Sequence, residues 1–329
     1  MLRALRLARN GLGRTRPNPP VGAVLVSSAG ELLGEGFHHA AGAPHAEIEA
    51  LRATTADTKN ATLHVTLEPC STHGRTPPCT AAILAAGITR VAVAWQDPNP
   101  CHAGRGVQIL RDAGVRVDLG VCEDEARELI APFTKYILHK LPFVTLKLAM
   151  TLDGRIADVN GASKWITSEA SRSYVRQLRQ ESDAVLVGAN TVIADDPGLL
   201  PETHNPKFLR LILDPASRAP AHSRVFTDEH ASQTRLLRLS ENATLRDTLQ
   251  RLALEEGLTS ILCEGGGRLA ASLVEENLVD RYELFYAPSL LLNGVSGFDG
   301  SGFTLNNRRN LKLIETRRFG DDILLRLRA

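Results

Sequence analysis

No apolar run in the 329-residue sequence approaches the roughly 20 residues of a helical membrane span, and no secretory h-region with a cleavage site is present. Membrane insertion is therefore not expected, and a cytoplasmic location is. Aromatic residues are scarce, with 4 Tyr, 2 Trp and 9 Phe, which is thin for a protein that stacks bases along a strand. Charge of one sign is lacking too: 38 basic and 37 acidic side chains leave a net charge of +1, so no global field attracts a polyanion. Cysteine is sparse and odd in number, five scattered residues in a chain too large to need stapling. Reduced thiols are expected rather than a disulfide framework.

What remains is ordinary globular material, 43% hydrophobic and 23% charged, and long enough for about two domains with a core each. The opening MLRALRLARNGLGRTR carries five arginines and no acid, which superficially matches an organelle transit peptide. Leu2, Leu5 and Arg9 nevertheless stand at helical spacing, and Gly11 and Gly13 end the pattern before VGAVLV. A first structural helix is the expectation.

To about residue 120, short strands (VGAVLV, LLGEGF, LHVTL, RVAVAW, VRVDLG) alternate with helical stretches of about ten residues, an α/β layer pattern. EDEARELIAPFTKYILHK then reads as a connecting helix broken near Pro132. A fresh strand, FVTLKLAM, follows LPF, and alternation resumes through AVLVGA, LRLILD, SILCEGGG and YELFYAP to ILLRLRA. The boundary is placed near residue 141, giving domains over 1–140 and 141–329.

The stretch EPCSTHGRTPPC sets Cys70 and Cys79 at the ends of a polar, proline-rich loop, and upstream GAPHAEIEALRAT offers His45 and Glu47. Residues two apart on a helix point to different faces, so His45 and Glu47 converge only on something seated over the first turn. One imidazole and two thiolates are a zinc set, and three protein ligands leave the fourth tetrahedral position for water. Cys79 precedes the helical stretch TAAILAAG, whose positive end favours a thiolate. Zinc lowers the pKa of water to about 7, and Glu47 is the side chain available to shuttle protons to a ring nitrogen and a departing amine. Zinc deaminases carry H-x-E followed by P-C-x-x-C; here HAE and PC are present, but eight residues separate the cysteines. A closed structural zinc completed by Cys101 or His102 and a Cys70–Cys79 disulfide are the competing arrangements.

RPNPPVGAVLV, PHAE, VTLEPCSTHGRTPPC, DPNPCHAGRG, LKLAMTLDGRIA, SKWIT, ADDP and EGGGRLAASL, taken in order, resemble the bifunctional deaminase/reductase of riboflavin biosynthesis over essentially the whole chain. In that family the eight-residue gap between the cysteines is the rule. The resemblance implies an N-terminal cytidine-deaminase-like three-layer domain and a C-terminal dihydrofolate-reductase-like α/β domain. It implies zinc-dependent removal of the 2-amino group of a phosphoribosylaminopyrimidine, then NADPH-dependent reduction of the ribosyl arm to ribityl.

Carried over by position, His45, Cys70 and Cys79 would bind zinc and Glu47 would move the proton. Asn18, Asp97 and Asn99 would read the pyrimidine or its phosphate arm, since an Asn amide both donates and accepts; turn formation at Asx-Pro is the plainer role for Asp97 and Asn99. His73 and Arg75, between the cysteines, would add substrate contacts.

No G-x-G-x-x-G follows the strand at 143–150, so the ordinary dinucleotide fingerprint is absent. Gly265, Gly266 and Gly267 instead stand between a strand and a helix, where backbone N–H groups can hold phosphate, although a triple glycine alone is usually a tight turn. The resemblance makes it the NADPH clamp, with Gly266, Gly267, Arg268, Leu269, Ala270, Ala271 and Ser272 at the phosphates and Ala149, Trp165, Thr191 and Asp195 lining the rest. Ser163, Arg179, Leu199 and Glu264 would meet the substrate, with Lys147 near the reacting end. Arg179 suits an oxyanion because its fork binds bidentately; unaided by the resemblance, Trp165 reads as core and Arg179 as a solvated helix face. GLLPET follows ADDP where the family has an arginine, so Glu202 stands in its place and Arg210 or another base would have to substitute.

The expected partner is a small pyrimidine ribotide, with a homo-oligomer of the chain and neither nucleic acid nor membrane. A nucleic-acid base deaminase with an accessory domain needs a basic, aromatic surface that the composition does not supply. A zinc-stabilised interaction protein would leave Glu47 idle.

Overall fold

The computed structural model describes residues 1–73, 77–239 and 243–329. The chain divides into two compact units, Met1–Lys140 and Leu141–Ala329. Arg75 lies outside the described residues.

The first unit runs α1 (Leu2–Arg9), β1 (Gly22–Val26), β2 (Leu32–Phe37), α2 (Ala46–Arg52), β3 (Thr62–Val65), α3 (Cys79–Ala85), β4 (Arg90–Val93), α4 (Arg105–Asp112), β5 (Arg116–Leu119), α5 (Glu123–Leu129) and α6 (Ala131–His139). The opening helix forms because Ala4, Leu5 and Ala8 share one buried face. Its sheet has the order β2-β1-β3-β4-β5. β1 pairs antiparallel with β2 and β3, whereas β3, β4 and β5 run parallel. Parallel strands need covered faces and read as apolar runs; Leu63, Val65, Val91 and Val93 supply them, packed with Ile83 of α3 and Val107 and Leu110 of α4. α5 and α6 are separate helices, with Pro132 in the first turn of α6, where a missing N–H costs nothing.

The second unit runs β6 (Phe143–Thr151), β7 (Arg155–Ala157), α7 (Glu169–Gln180), β8 (Ala184–Gly188), α8 (Ala189–Asp195), β9 (Leu209–Leu213), α9 (Arg224–Thr227), β10 (Thr234–Leu237), α10 (Leu245–Glu256), β11 (Ser260–Cys263), α11 (Gly267–Glu275), β12 (Val279–Ala287), β13 (Val295–Ser296), β14 (Lys312–Phe319) and β15 (Asp322–Arg328). Its main sheet has the order β10-β9-β8-β11-β6-β12-β15-β14, and a small pair joins β13 to β7. All neighbours from β10 to β12 are parallel; β15 is antiparallel to both β12 and β14. Local signals agree with the helices: Ser168 caps α7 by accepting from Ser171 N, and Thr244 with Asp247 forms a capping box on α10, which Gly257 ends in the left-handed region. No helix among the described residues is long and apolar enough to cross a membrane.

Candidate active sites

The first site forms at the carboxyl ends of β3 and β4. His45 is the N-cap of α2 and Cys79 the first residue of α3. Together with Cys70, beyond β3, their ligand atoms all lie within 4.8 Å of one another. His45 Nδ1 is 3.5 Å from Cys70 Sγ and 3.3 Å from Cys79 Sγ. Bonds of about 2.3 Å to sulfur and about 2.1 Å to nitrogen put tetrahedral N···S edges near ~3.6 Å, so the donor set fits zinc. No fourth Cys, His, Asp or Glu joins the group among the described residues. Cys101 and His102 therefore do not close it, and all five cysteines are free thiols.

The electrostatics of the cluster follow from its crowding. Cys79 N donates to Cys70 Sγ at 3.3 Å. A hydrogen bond from the Cys79 thiol draws Cys70 down to about 4, and the same bond pushes Cys79 up. The hydrogen bond to Cys70 raises His45. Glu47, in the first turn of α2, is only 3% exposed, and burial pushes its carboxyl up to about 7.

A cavity of about 500 Å³ opens on this cluster, lined by Asn18, Glu47, Asp97 and Asn99 together with His38 and His102. Asp97 and Asn99 combine turn formation with a place on the cavity wall. Asp97 Oδ1 accepts from Asn99 N at 2.8 Å and Asn99 Oδ1 from Cys101 N at 3.1 Å, closing Asx turns, while both residues stay on the cavity wall. His38, which belongs to no motif, also stands on this wall. Its Nδ1 donates to Pro44 O at 3.0 Å, so Nε2, 3.1 Å from Asn18 Nδ2, is the acceptor. Asn18 is thereby held with its Oδ1 unspent on His38. His73 is exposed and is not part of the cavity lining.

The second site is a cavity of about 930 Å³ at the carboxyl ends of the parallel strands, reached by Lys147 and Ala149 of β6, Gly188 at the end of β8, Leu213 of β9 and Glu264 after β11. Gly266 is the N-cap of α11 and offers no side chain to its first turn. A Cβ on Gly267 would lie 2.3 Å from Ser296 O, so only glycine lets this turn pass so close to the neighbouring chain. Free N–H groups at a helix N-terminus in a glycine cradle fit the diphosphate of a nicotinamide cofactor.

Gly267, Arg268, Leu269 and Ser272 line the cavity with Gly266, as do Ser163, Trp165, Thr191 and Asp195. Ala270 and Ala271 are buried and are not among the lining residues. Trp165 is 68% exposed, not core, and Arg172 Cζ sits 4.4 Å from its ring centroid. Asp195 meets Lys164 Nζ at 3.4 Å. Lys147 is partly buried, and desolvation lowers its pKa against the opposing pull of Glu264.

Two expectations change. Leu199 is buried against Val185, Val187 and Phe208, so its side chain is core and not cavity wall. Arg210 is 0% exposed; its Nη1 and Nη2 donate to Asp228 at 2.7 and 2.8 Å, and to the carbonyls of Gly198 and Val225. It is a structural ion pair and does not replace an arginine at Glu202, which is itself exposed.

Residues 1–95 match the cytidine and deoxycytidylate deaminase zinc-binding region, and residues 142–325 match the RibD C-terminal domain. The riboflavin biosynthesis protein RibD of Aquifex aeolicus is 42% identical, covering 98% of this chain and 95% of its own. That of Escherichia coli is 38% identical, covering 99% and 98%. A solved diaminohydroxyphosphoribosylaminopyrimidine deaminase/5-amino-6-(5-phosphoribosylamino)uracil reductase from Thermotoga maritima superposes with a TM-score of 0.91 at 37% identity, over 100% of this chain and 97% of that one.

Proposed function

The chain belongs to the RibD family of riboflavin biosynthesis proteins, and from that premise we propose which residues of each unit carry its two reactions. It is a bifunctional enzyme of riboflavin biosynthesis, a zinc-dependent deaminase in its N-terminal region and a reductase in its C-terminal domain. The substrate is the diaminohydroxyphosphoribosylaminopyrimidine named for the Thermotoga relative, and its deaminated product is reduced in the second unit.

The convergence of His45, Cys70 and Cys79 beside a buried Glu47 carries the deaminase assignment. Zinc, when held by these three residues, supplies a nucleophile at neutral pH by acidifying water. Glu47, whose carboxyl burial raises to about 7, moves two protons in turn, one from the attacking water to the ring nitrogen and a second from the added hydroxyl to the amine, which departs as ammonia. Asn18, fixed by His38, presents an acceptor to the pyrimidine edge, and Asp97 and Asn99 present the polar atoms their turns leave free. His73 and Arg75 are assigned to the phosphoribosyl arm on the family resemblance.

In the reductase, Gly266 and Gly267 hold the diphosphate of NADPH at the start of α11, beside Arg268, Leu269 and Ser272, with Ala149, Trp165, Thr191 and Asp195 along its length. NADPH supplies hydride when bound. Ser163 and Glu264 orient the ribosyl arm, with Arg179 holding the Glu264 carboxylate in place. Lys147 Nζ, made acidic by desolvation, donates the proton that balances hydride addition. The enzyme works as a cytoplasmic homo-oligomer, which sedimentation of the purified chain tests. NADPH and NADH titrations followed by cofactor fluorescence test the cofactor assignment: tighter binding of NADPH is expected, and equal affinity would overturn it.

A further inference from the structure

Glu68 stands two residues before Cys70, is 6% exposed, and lines the first cavity. Its carboxylate is spent on backbone: Oε2 accepts from Asp97 N at 3.0 Å and Gly104 N at 2.9 Å, and Oε1 from Val107 N at 3.1 Å. Helix α4 begins after Gly104, an N-cap without a side chain; Arg105 N finds the His102 carbonyl at 3.0 Å, but no N-cap side chain is there to meet the third helical N–H. Glu68 bonds the N-cap N–H and the third helical N–H, the two donors a capping box satisfies from within the helix, and does so from a different element.

The contact is close as well as polar. A Cβ on Gly106 would lie 2.0 Å from Pro69 O, so α4 abuts the backbone that leads into Cys70. One joint therefore ties a metal ligand to the turn carrying Asp97, Asn99 and His102 on the cavity wall. Charge-assisted bonds of this kind are about twice as strong as neutral ones, and three on one carboxylate leave the turn little freedom to slide.

We propose that Glu68 is a positioning residue for the deamination: through its three backbone bonds it fixes where the 97–104 turn meets the pyrimidine relative to Cys70. The inference rests on the deaminase reading given above. A carboxylate that only stabilised α4 would affect melting temperature without affecting substrate affinity, and the two roles separate in kinetics.

The test is Glu68→Gln in the full chain, loaded with zinc and assayed for ammonia release from the diaminopyrimidine ribotide. An amide keeps the shape but has one acceptor oxygen for three donors. Bonds to a charged acceptor are worth enough that losing one raises KM about ten-fold or more. The predicted result is that rise with kcat changed less than KM, zinc content kept at the wild-type level, and NADPH oxidation on the deaminated product unchanged. Glu68→Asp, which keeps the charge on a shorter arm, should give an intermediate KM, and it is read by the same criterion if the Gln variant does not fold. A lower melting temperature with unchanged KM overturns the inference, as does loss of zinc, which would place the role at the metal. A wild-type chain that releases no ammonia would instead defeat the deaminase reading and the inference with it.

Discussion

Arg179 Nε donates to Glu264 Oε1 at 2.9 Å, and Arg179 Nη1 to the Leu200 carbonyl at 2.9 Å. Both side chains are largely buried, so this arginine orients the carboxylate that faces the second cavity, and a phosphate would have to compete with that carboxylate for its fork. Replacing Arg179 with Met should leave Glu264 misplaced and raise the reductase KM by about ten-fold or more, the scale of a lost charge-assisted bond. Ammonia release, which depends on the other unit, should not change; steady-state assays of the two reactions on one preparation check both.

Glu47 separates chemistry from metal binding. Glu47→Gln keeps the volume and removes the proton shuttle, so deamination should fall by about 10²- to 10⁴-fold while metal analysis still finds zinc. Turnover that survives with zinc bound would remove Glu47 from the mechanism.

As the proposed proton donor, the Lys147 amine would give the reductase a pH signature. Its folded pKa lies below the ordinary lysine value of about 10.4 because burial disfavours the charge. The proton donor is thus present below the folded pKa and lost as pH rises through it, so turnover should decline on the alkaline side with a midpoint under about 10.4. For stability the sign is opposite: the buried charge costs the fold at pH values below the folded pKa, and the cost is relieved as pH rises toward about 10.4. Lys147→Met should abolish the alkaline limb together with most of the reductase rate.

Arg210 is the largest fully buried side chain, and removing one partner of a buried ion pair costs about 3–5 kcal/mol. Asp228 retains some solvent access, which puts Arg210→Leu at the lower end, about 3 kcal/mol. Denaturant unfolding should show that loss in the second unit's transition.

Sequence alone carried the parts of this account that are local or rest on residue chemistry. The alternation of short strands and helices gave the layer architecture, HAE with two cysteines gave the zinc set, and the SILCEGGG turn gave the start of α11. What escaped depends on residues far apart in the chain. Trp165 reads as core until Arg172 is seen beneath its exposed ring, and Arg210 reads as a spare base until Asp228, eighteen residues on, is found beside it. His38 and Glu68 carry no motif of their own, because their roles lie in bonds to Pro44 and Asn18 and to the 97–107 backbone. Strand β14 was also missed: Lys312–Phe319 has no buried face to impose a period of two, and it is held by its pairing with β15.

The central claim, that one chain performs both steps on one intermediate, is tested most directly by anaerobic incubation of the zinc-loaded protein with the diaminopyrimidine ribotide and NADPH. Ammonia and NADPH absorbance are followed together. One ammonia is expected per substrate, followed by one NADPH oxidised, with both signals lost when a chelator removes the zinc and only the second restored by adding deaminated product. Ammonia release without NADPH oxidation, or oxidation of NADPH on the substrate before any ammonia appears, would contradict it.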